Sequence, residues 1–78
     1  QMKTAAIQLG TLTCPSCVQK IESALKSLDG VEKDSVKVLF NSSKAKFNFD
    51  DTKLTVEQLE NAITVLGYDV KKSQIKNR

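Results

Sequence analysis

Histidine and tryptophan are absent from these 78 residues; proline and methionine occur once each and cysteine twice. Without histidine, a zinc centre built from two cysteines and two histidines is out of reach within one molecule. Two cysteines separated by two residues can staple only a very small loop, which excludes the disulfide framework of a small secreted domain. No apolar run approaches the roughly 18 residues of a membrane span, and no charged-then-apolar leader is visible. A cytoplasmic protein with no membrane contact of its own is the expectation. The net charge of +3 is modest. Lys71, Lys72, Lys76 and Arg78 gather at the C-terminus, where they are expected to form a solvated tail, with attraction to an acidic protein partner as the functional alternative.

What is present is enough for one core. The length predicts a single domain over 1–78, near the lower limit for folding without staples, and the 40% apolar content is too high for a disordered chain. Ala5, Ile7 and Leu9 alternate with Thr4, Ala6 and Gln8 as in a half-buried strand. Val18, Ile21, Leu25 and Leu28 then recur at helical spacing, with Gly30 as the expected end of that helix. Val36, Val38 and Phe40 alternate, as do Ala45, Phe47 and Phe49, with Asn41-Ser42-Ser43 between them as a hairpin loop. A second helix is signalled by a capping box, Thr55 with Gln58, by a staple of Leu54 and Leu59 around it, and by the repeat of Val56, Leu59, Ile63 and Leu66 up to Gly67. Tyr68, Val70 and residues to about Ser73 make a last strand. The ordered core is expected over about 3–72, with the rest frayed.

The order β-α-β-β-α-β predicts an α+β fold, the ferredoxin-like βαββαβ sandwich: a four-stranded antiparallel sheet with two helices on one face. Strand directions put the loop before the first helix, the Asn41 hairpin and the Gly67-Tyr68 loop at the same end.

Both cysteines lie in Thr11-Leu12-Thr13-Cys14-Pro15-Ser16-Cys17. Pro15 suits the first helical turn, where its missing N–H costs nothing, so Cys14 falls near the N-cap and Cys17 in the first turn. There the unpaired N–H groups and the helix dipole favour thiolate over thiol. The polar flanks Thr13 and Ser16 suggest an exposed loop. Two such thiols can share a soft metal ion or close a disulfide, and electrostatics alone serves both. As metal ligands, two thiolates suit an ion that accepts two sulfurs, Cu(I) first, with Hg(II) chemically similar.

The element order and the run Leu12-Thr13-Cys14-Pro15-Ser16-Cys17 resemble the heavy-metal-associated domain, the family of small copper chaperones and of the N-terminal domains of metal-pumping P-type ATPases. The resemblance extends from about Lys3 to Lys72. It implies metal ligation by Cys14 and Cys17, which match the family's Met-x-Cys-x-x-Cys positions, with Leu12, Thr13 and Tyr68 around them. Leu12 stands in place of the family's Met, which tethers the loop, and keeps its apolar character. Gly10 lies one residue earlier than the usual Gly. Tyr68 after Gly67 matches the aromatic that bacterial members carry beside the site. Zinc-specific members tend to place Asp where Thr13 stands, so Cu(I) is implied as cargo, with Zn(II) or Hg(II) as the alternatives. The implied partner is the Cys-x-x-Cys domain of a metal-transporting ATPase, reached by thiolate exchange, without enzymatic activity.

Two rivals share features with this reading. Cys-Pro-Ser-Cys also resembles a glutaredoxin active site, in which Cys14 would be the nucleophile and Cys17 the resolving thiol of a thiol–disulfide oxidoreductase. That fold uses a cis-proline opposite the dithiol, and Pro15 is the only proline here. RNA-recognition domains share the element order but stack bases on aromatics of the open sheet face. Phe47 and Phe49 alternate with Lys46 and Asn48 in phase with Ala45, so they are expected to face the helices, and no nucleic acid is implied.

Overall fold

The computed structural model describes residues 2–10 and 14–77. Strand β1 (Met2–Leu9) is followed by helix α1 (Pro15–Lys26), a 3-10 turn at Lys33–Ser35, strand β2 (Lys37–Leu39), strand β3 (Lys44–Asp50), helix α2 (Val56–Thr64) and strand β4 (Val70–Asn77). The strands form one sheet in the order β2-β3-β1-β4, and every pairing is antiparallel. This is the ferredoxin-like sandwich expected from the sequence.

The two-residue alternation of each strand separates the faces of the sheet. Ala5, Ile7, Leu9, Ala45, Phe47 and Phe49 are all buried, together with Ile21 and Leu25 of α1 and Leu59 and Ile63 of α2. The rings of Phe47 and Phe49 lie 6.2 Å apart at 55° within this core, a tilted pairing favoured by the ring quadrupoles. Both aromatics therefore face the helices, and the open face offers no base-stacking platform.

Both helix boundaries have local causes. Thr55 caps α2: the Gln58 N–H donates to Thr55 Oγ1 at 3.2 Å and the Thr55 N–H donates to Gln58 Oε1 at 2.8 Å. Leu54 and Leu59, the expected staple pair, are both buried. Helix α1 stops at Lys26 with Ser27 as its C-cap, short of the Gly30 stop expected from the sequence. Gly30 serves the following turn at φ +112°, where an added Cβ would meet Lys53 Cβ at 3.0 Å.

Three further expectations are corrected. Strand β4 continues to Asn77 instead of fraying after Lys72, because β1 supplies a backbone partner as far as Lys3–Asn77 and Ile75 packs against the core. Phe40 ends up in the turn after β2 and Leu66 in the turn after α2. Both are about 40% exposed, since their elements end before the apolar repeat does.

Candidate metal centre

The end of the sheet that carries the cysteines is held by hydrogen bonds from the exit of β1 to the β2–β3 hairpin and to the α2–β4 loop. The Leu9 N–H donates to the Ser43 carbonyl at 2.7 Å and the Gly10 N–H to the Asp69 carbonyl at 2.9 Å. Gln8 Nε2 donates to the Ser42 carbonyl at 2.8 Å. The β2–β3 hairpin, the α2–β4 loop and the exit of β1 thus meet at one end, as the strand directions required. Leu12 and Thr13 lie outside the described residues.

Cys14 is the N-cap of α1, with extended φ and ψ of −140° and 142°; no side chain caps the helix. Pro15 opens the helix at a position whose N–H would be unpaired in any case. The Cys17 N–H closes the first turn onto the Cys14 carbonyl at 3.1 Å. This turn brings the two Cα atoms to 5.4 Å, and Cys14 and Cys17 are joined in a disulfide.

The two sulfurs have unlike surroundings. Cys17 is only 5% exposed and belongs to the core with Ile21 and Leu25, while Cys14 is half-buried and packs against that core from outside. The exposed loop suggested by the polar flanks therefore describes Cys14 better than Cys17. Helical spacing is the reason: Cys17, Ile21 and Leu25 stand four apart on the buried stripe of α1. That signal is present in the sequence, because Cys17 extends the apolar repeat by one turn.

Ser16 is a neighbour that sequence reasoning placed only as a polar flank. Its Oγ donates to Cys14 Sγ at 3.5 Å, within sulfur hydrogen-bond range, and would stabilise negative charge on that sulfur after reduction. Tyr68 is half-buried against the core. Its neighbour Asp69 is bonded to Gly10, which puts Tyr68 on the same end as the cysteine turn.

Among the described residues no group of three or more Cys, Asp or Glu is placed to hold an ion. The donor set is two sulfurs, which fits a soft ion of low coordination number better than a tetrahedral one. No cis peptide occurs among the described residues, so the cis-proline of the oxidoreductase alternative has no counterpart there.

Comparison with known proteins places this arrangement. The profile of the heavy-metal-associated domain matches residues 6–69. The chain is 40% identical over 70 residues to the copper chaperone CopZ of Staphylococcus saprophyticus, covering 90% of this chain and all of that one. It is 39% identical over 66 residues to the periplasmic component of the mercuric transport protein of Shewanella putrefaciens, covering 85% of this chain and 70% of that one. Among solved structures it resembles the Cu(I)-loaded N-terminal domain of a potential copper-translocating P-type ATPase from Bacillus subtilis. That likeness has a TM-score of 0.79 at 25% identity and covers 95% of this chain and 92% of the other. These relatives are metal carriers and metal-binding domains, not enzymes. By profile, by relatives and by fold, the chain belongs to the heavy-metal-associated domain family.

Proposed function

We propose that this domain carries Cu(I) on the thiolates of Cys14 and Cys17 and hands it to a partner domain by ligand exchange. The observation that carries the reading is the first turn of α1, which holds both sulfurs within bonding reach of one another at an uncapped helix N-terminus. Loading begins with reduction: two electrons and two protons from a thiol reductant open the disulfide to two thiols. Binding of Cu(I) then displaces both protons. Ser16 Oγ and the positive end of the α1 dipole stabilise the resulting negative charge.

Delivery follows from the low coordination number. A thiolate of the partner enters as third ligand before one of the two cysteines leaves, so the ion is never released to water. Cys14, being half-buried, is the sulfur that leaves first, and buried Cys17 holds on longest. The proposed partner is a Cys-x-x-Cys domain of a metal-transporting ATPase. The similarity to a copper chaperone supports copper; the cytoplasmic setting is part of the same proposal. The similarity to a mercuric transport component supports Hg(II) as the second cargo, and two sulfurs suit that ion equally well. Zn(II) has less support, because no third ligand group is assembled among the described residues.

Anaerobic titration of the reduced protein in competition with a Cu(I) chelator tests the reading. One ion per monomer is expected, with at least a hundredfold weaker retention, about 3 kcal/mol, in Cys14→Ser or Cys17→Ser. Unchanged retention in either variant would refute the assignment. Stopped-flow transfer to a Cys-x-x-Cys domain should accelerate with partner concentration; a rate fixed at the spontaneous off-rate would make the protein a store instead of a carrier.

A further inference from the structure

The face of the sheet turned away from the helices has a pattern that metal carriage does not use. Register places Leu39, Lys44, Gln8 and Lys72 in one row across the four strands, and Lys37, Lys46, Ala6 and Gln74 in the next. The third row holds Asn48, Thr4 and Lys76. Central strand β1 thus contributes only the short or uncharged Thr4, Ala6 and Gln8, while lysines rise on both sides of it, Lys44 and Lys46 from β3 and Lys72 and Lys76 from β4. The result is a furrow along β1 with Ala6 at its floor. One hollow of about 190 Å³ lies between Ala6, Gln8, Lys44, Lys72 and Gln74. A second of about 320 Å³ shares Ala6, Lys44 and Gln74 with it and extends to Thr4, Lys46 and Lys76.

The lysines are exposed, and none of them is in an ion pair among the described residues. Carboxylates stand at the two ends: Glu32 and Asp50 beyond the Asn48 row, and at the cysteine end Asp69, whose Oδ2 lies 3.8 Å from where a Gly10 Cβ would sit. Glu32 contacts the Asn48 amide at 3.5 Å, and Asp50 accepts bonds from the Thr52 hydroxyl and amide. Only part of the expected basic tail joins this face. Lys72 and Lys76 alternate onto it, whereas Lys71 falls at the irregularity where the β1–β4 register shifts, without a paired residue on β1.

We propose that this furrow is a docking track for an extended acidic segment of a partner protein, its carboxylates paired with Lys44, Lys46, Lys72 and Lys76. The dimensions favour such an occupant. The lysine-bearing strands stand about 10 Å apart, two strand spacings, and the floor from Thr4 to Gln8 is roughly 14 Å long. One extended chain fits that channel, and its side chains, alternating at the same period, can reach both walls. A nucleic-acid duplex is too wide for it, a single strand would find no aromatic on which to stack, and a flat bilayer surface would touch only the lysine tips and leave the furrow empty. The Gln8–Lys72 row is the one nearest the cysteine end, so a partner docked here would be held beside the metal centre without blocking it. The proposal does not depend on which metal is carried.

Fluorescence anisotropy with a short labelled peptide of alternating Glu and Ser tests it. Binding at low salt is expected, weakening as salt rises. Lys44→Glu with Lys72→Glu should lower affinity at least about tenfold, while Lys33→Glu with Lys53→Glu, the same change of charge placed elsewhere, should change it less than about twofold. Ala6→Tyr, which fills the floor without altering charge, should weaken binding several-fold; Ala6→Gln is the smaller filler should tyrosine disturb the sheet. Retention of Cu(I) should be unchanged in all of these variants. No peptide binding, equal losses in the two charge-reversed pairs, or full affinity in a folded filled-floor variant would each overturn the proposal. So would tighter binding to phosphatidylserine vesicles or to a single-stranded oligonucleotide than to the peptide.

Discussion

The two helices of this domain occupy equivalent places in a repeated β-α-β unit, yet they begin in opposite ways. Helix α2 starts from Thr55, whose side chain and that of Gln58 satisfy each other's backbone N–H groups. Helix α1 starts from Cys14, which offers no capping bond, followed by a proline that has no N–H to cap. One N-terminus is closed by side-chain hydrogen bonds, and the other, without a side-chain cap, keeps its positive dipole end beside the two sulfurs. The same structural position serves stability in one half and, in the proposed function, chemistry in the other. A helix start without a side-chain cap, in a chain able to make a good one elsewhere, is the local feature on which the proposed metal centre rests.

The sharpest way to break this contrast is at the sulfurs. Both Cys→Ser variants should lose metal, but their stabilities should move in opposite directions when compared with the reduced wild type. Cys17→Ser puts a hydroxyl into the core beside Ile21 and should destabilise by about 1–3 kcal/mol. Cys14→Ser installs a favoured N-cap and should stabilise by roughly 0.5–1 kcal/mol. Urea unfolding under reducing conditions measures both. Equal effects would mean that the unlike burial of the two sulfurs is immaterial.

The cap of α2 gives the converse. Thr55→Ala should cost about 1 kcal/mol, seen as a lower urea midpoint, while Cu(I) retention stays within experimental scatter of wild type. A change in retention would show that the two helix starts are coupled through the core and do not act independently.

Much of that contrast is legible in the amino-acid sequence, because caps and turn residues are local signals. Thr55, Gln58, Pro15 and the cysteine spacing each act within four residues of chain, and each occupies the position its local pattern predicts. The faces of β1 and β3 are legible for the same reason, since two-residue alternation needs no partner to be seen. What stays illegible depends on distant pairing. Lys72–Asn77 has the composition of a tail and becomes a strand because β1 lies alongside it. Phe40 and Leu66 continue an apolar repeat by one step after the backbone has already turned. The polar neighbours of Cys17 suggest a surface loop, although its distance from Ile21 puts it on the buried stripe. Leu12 and Thr13, predicted to flank the site, lie outside the described residues.

The approach to each helix sharpens the comparison at the smallest scale. Ahead of α2 the chain is pinned: Lys53 and Leu54 N–H groups donate to the Asp50 carbonyl, and the Asp50 N–H donates to the Gly30 carbonyl at 2.8 Å. The Asp50 carboxylate takes the Thr52 hydroxyl at 2.6 Å and the Thr52 amide at 2.9 Å. The hydroxyl bond first, with the amide assisting, holds this carboxyl well below the ordinary carboxylate range. Neighbouring Asp51 is lowered as well, chiefly by its bond to Lys3 at 3.1 Å. A carboxyl depressed in the folded state stabilises fully above its unfolded value, near 4, and the contribution is lost as pH falls from there through the folded value. Asp50→Asn should therefore lower the urea midpoint slightly at neutral pH, and the gap from wild type should close as pH drops below about 4. The effect is small because the group is solvent-screened. Metal retention by the cysteine turn at the opposite end should not respond at all. A gap that persists undiminished in acid would assign the loss to the geometry of the Thr52 turn rather than to the charge on Asp50.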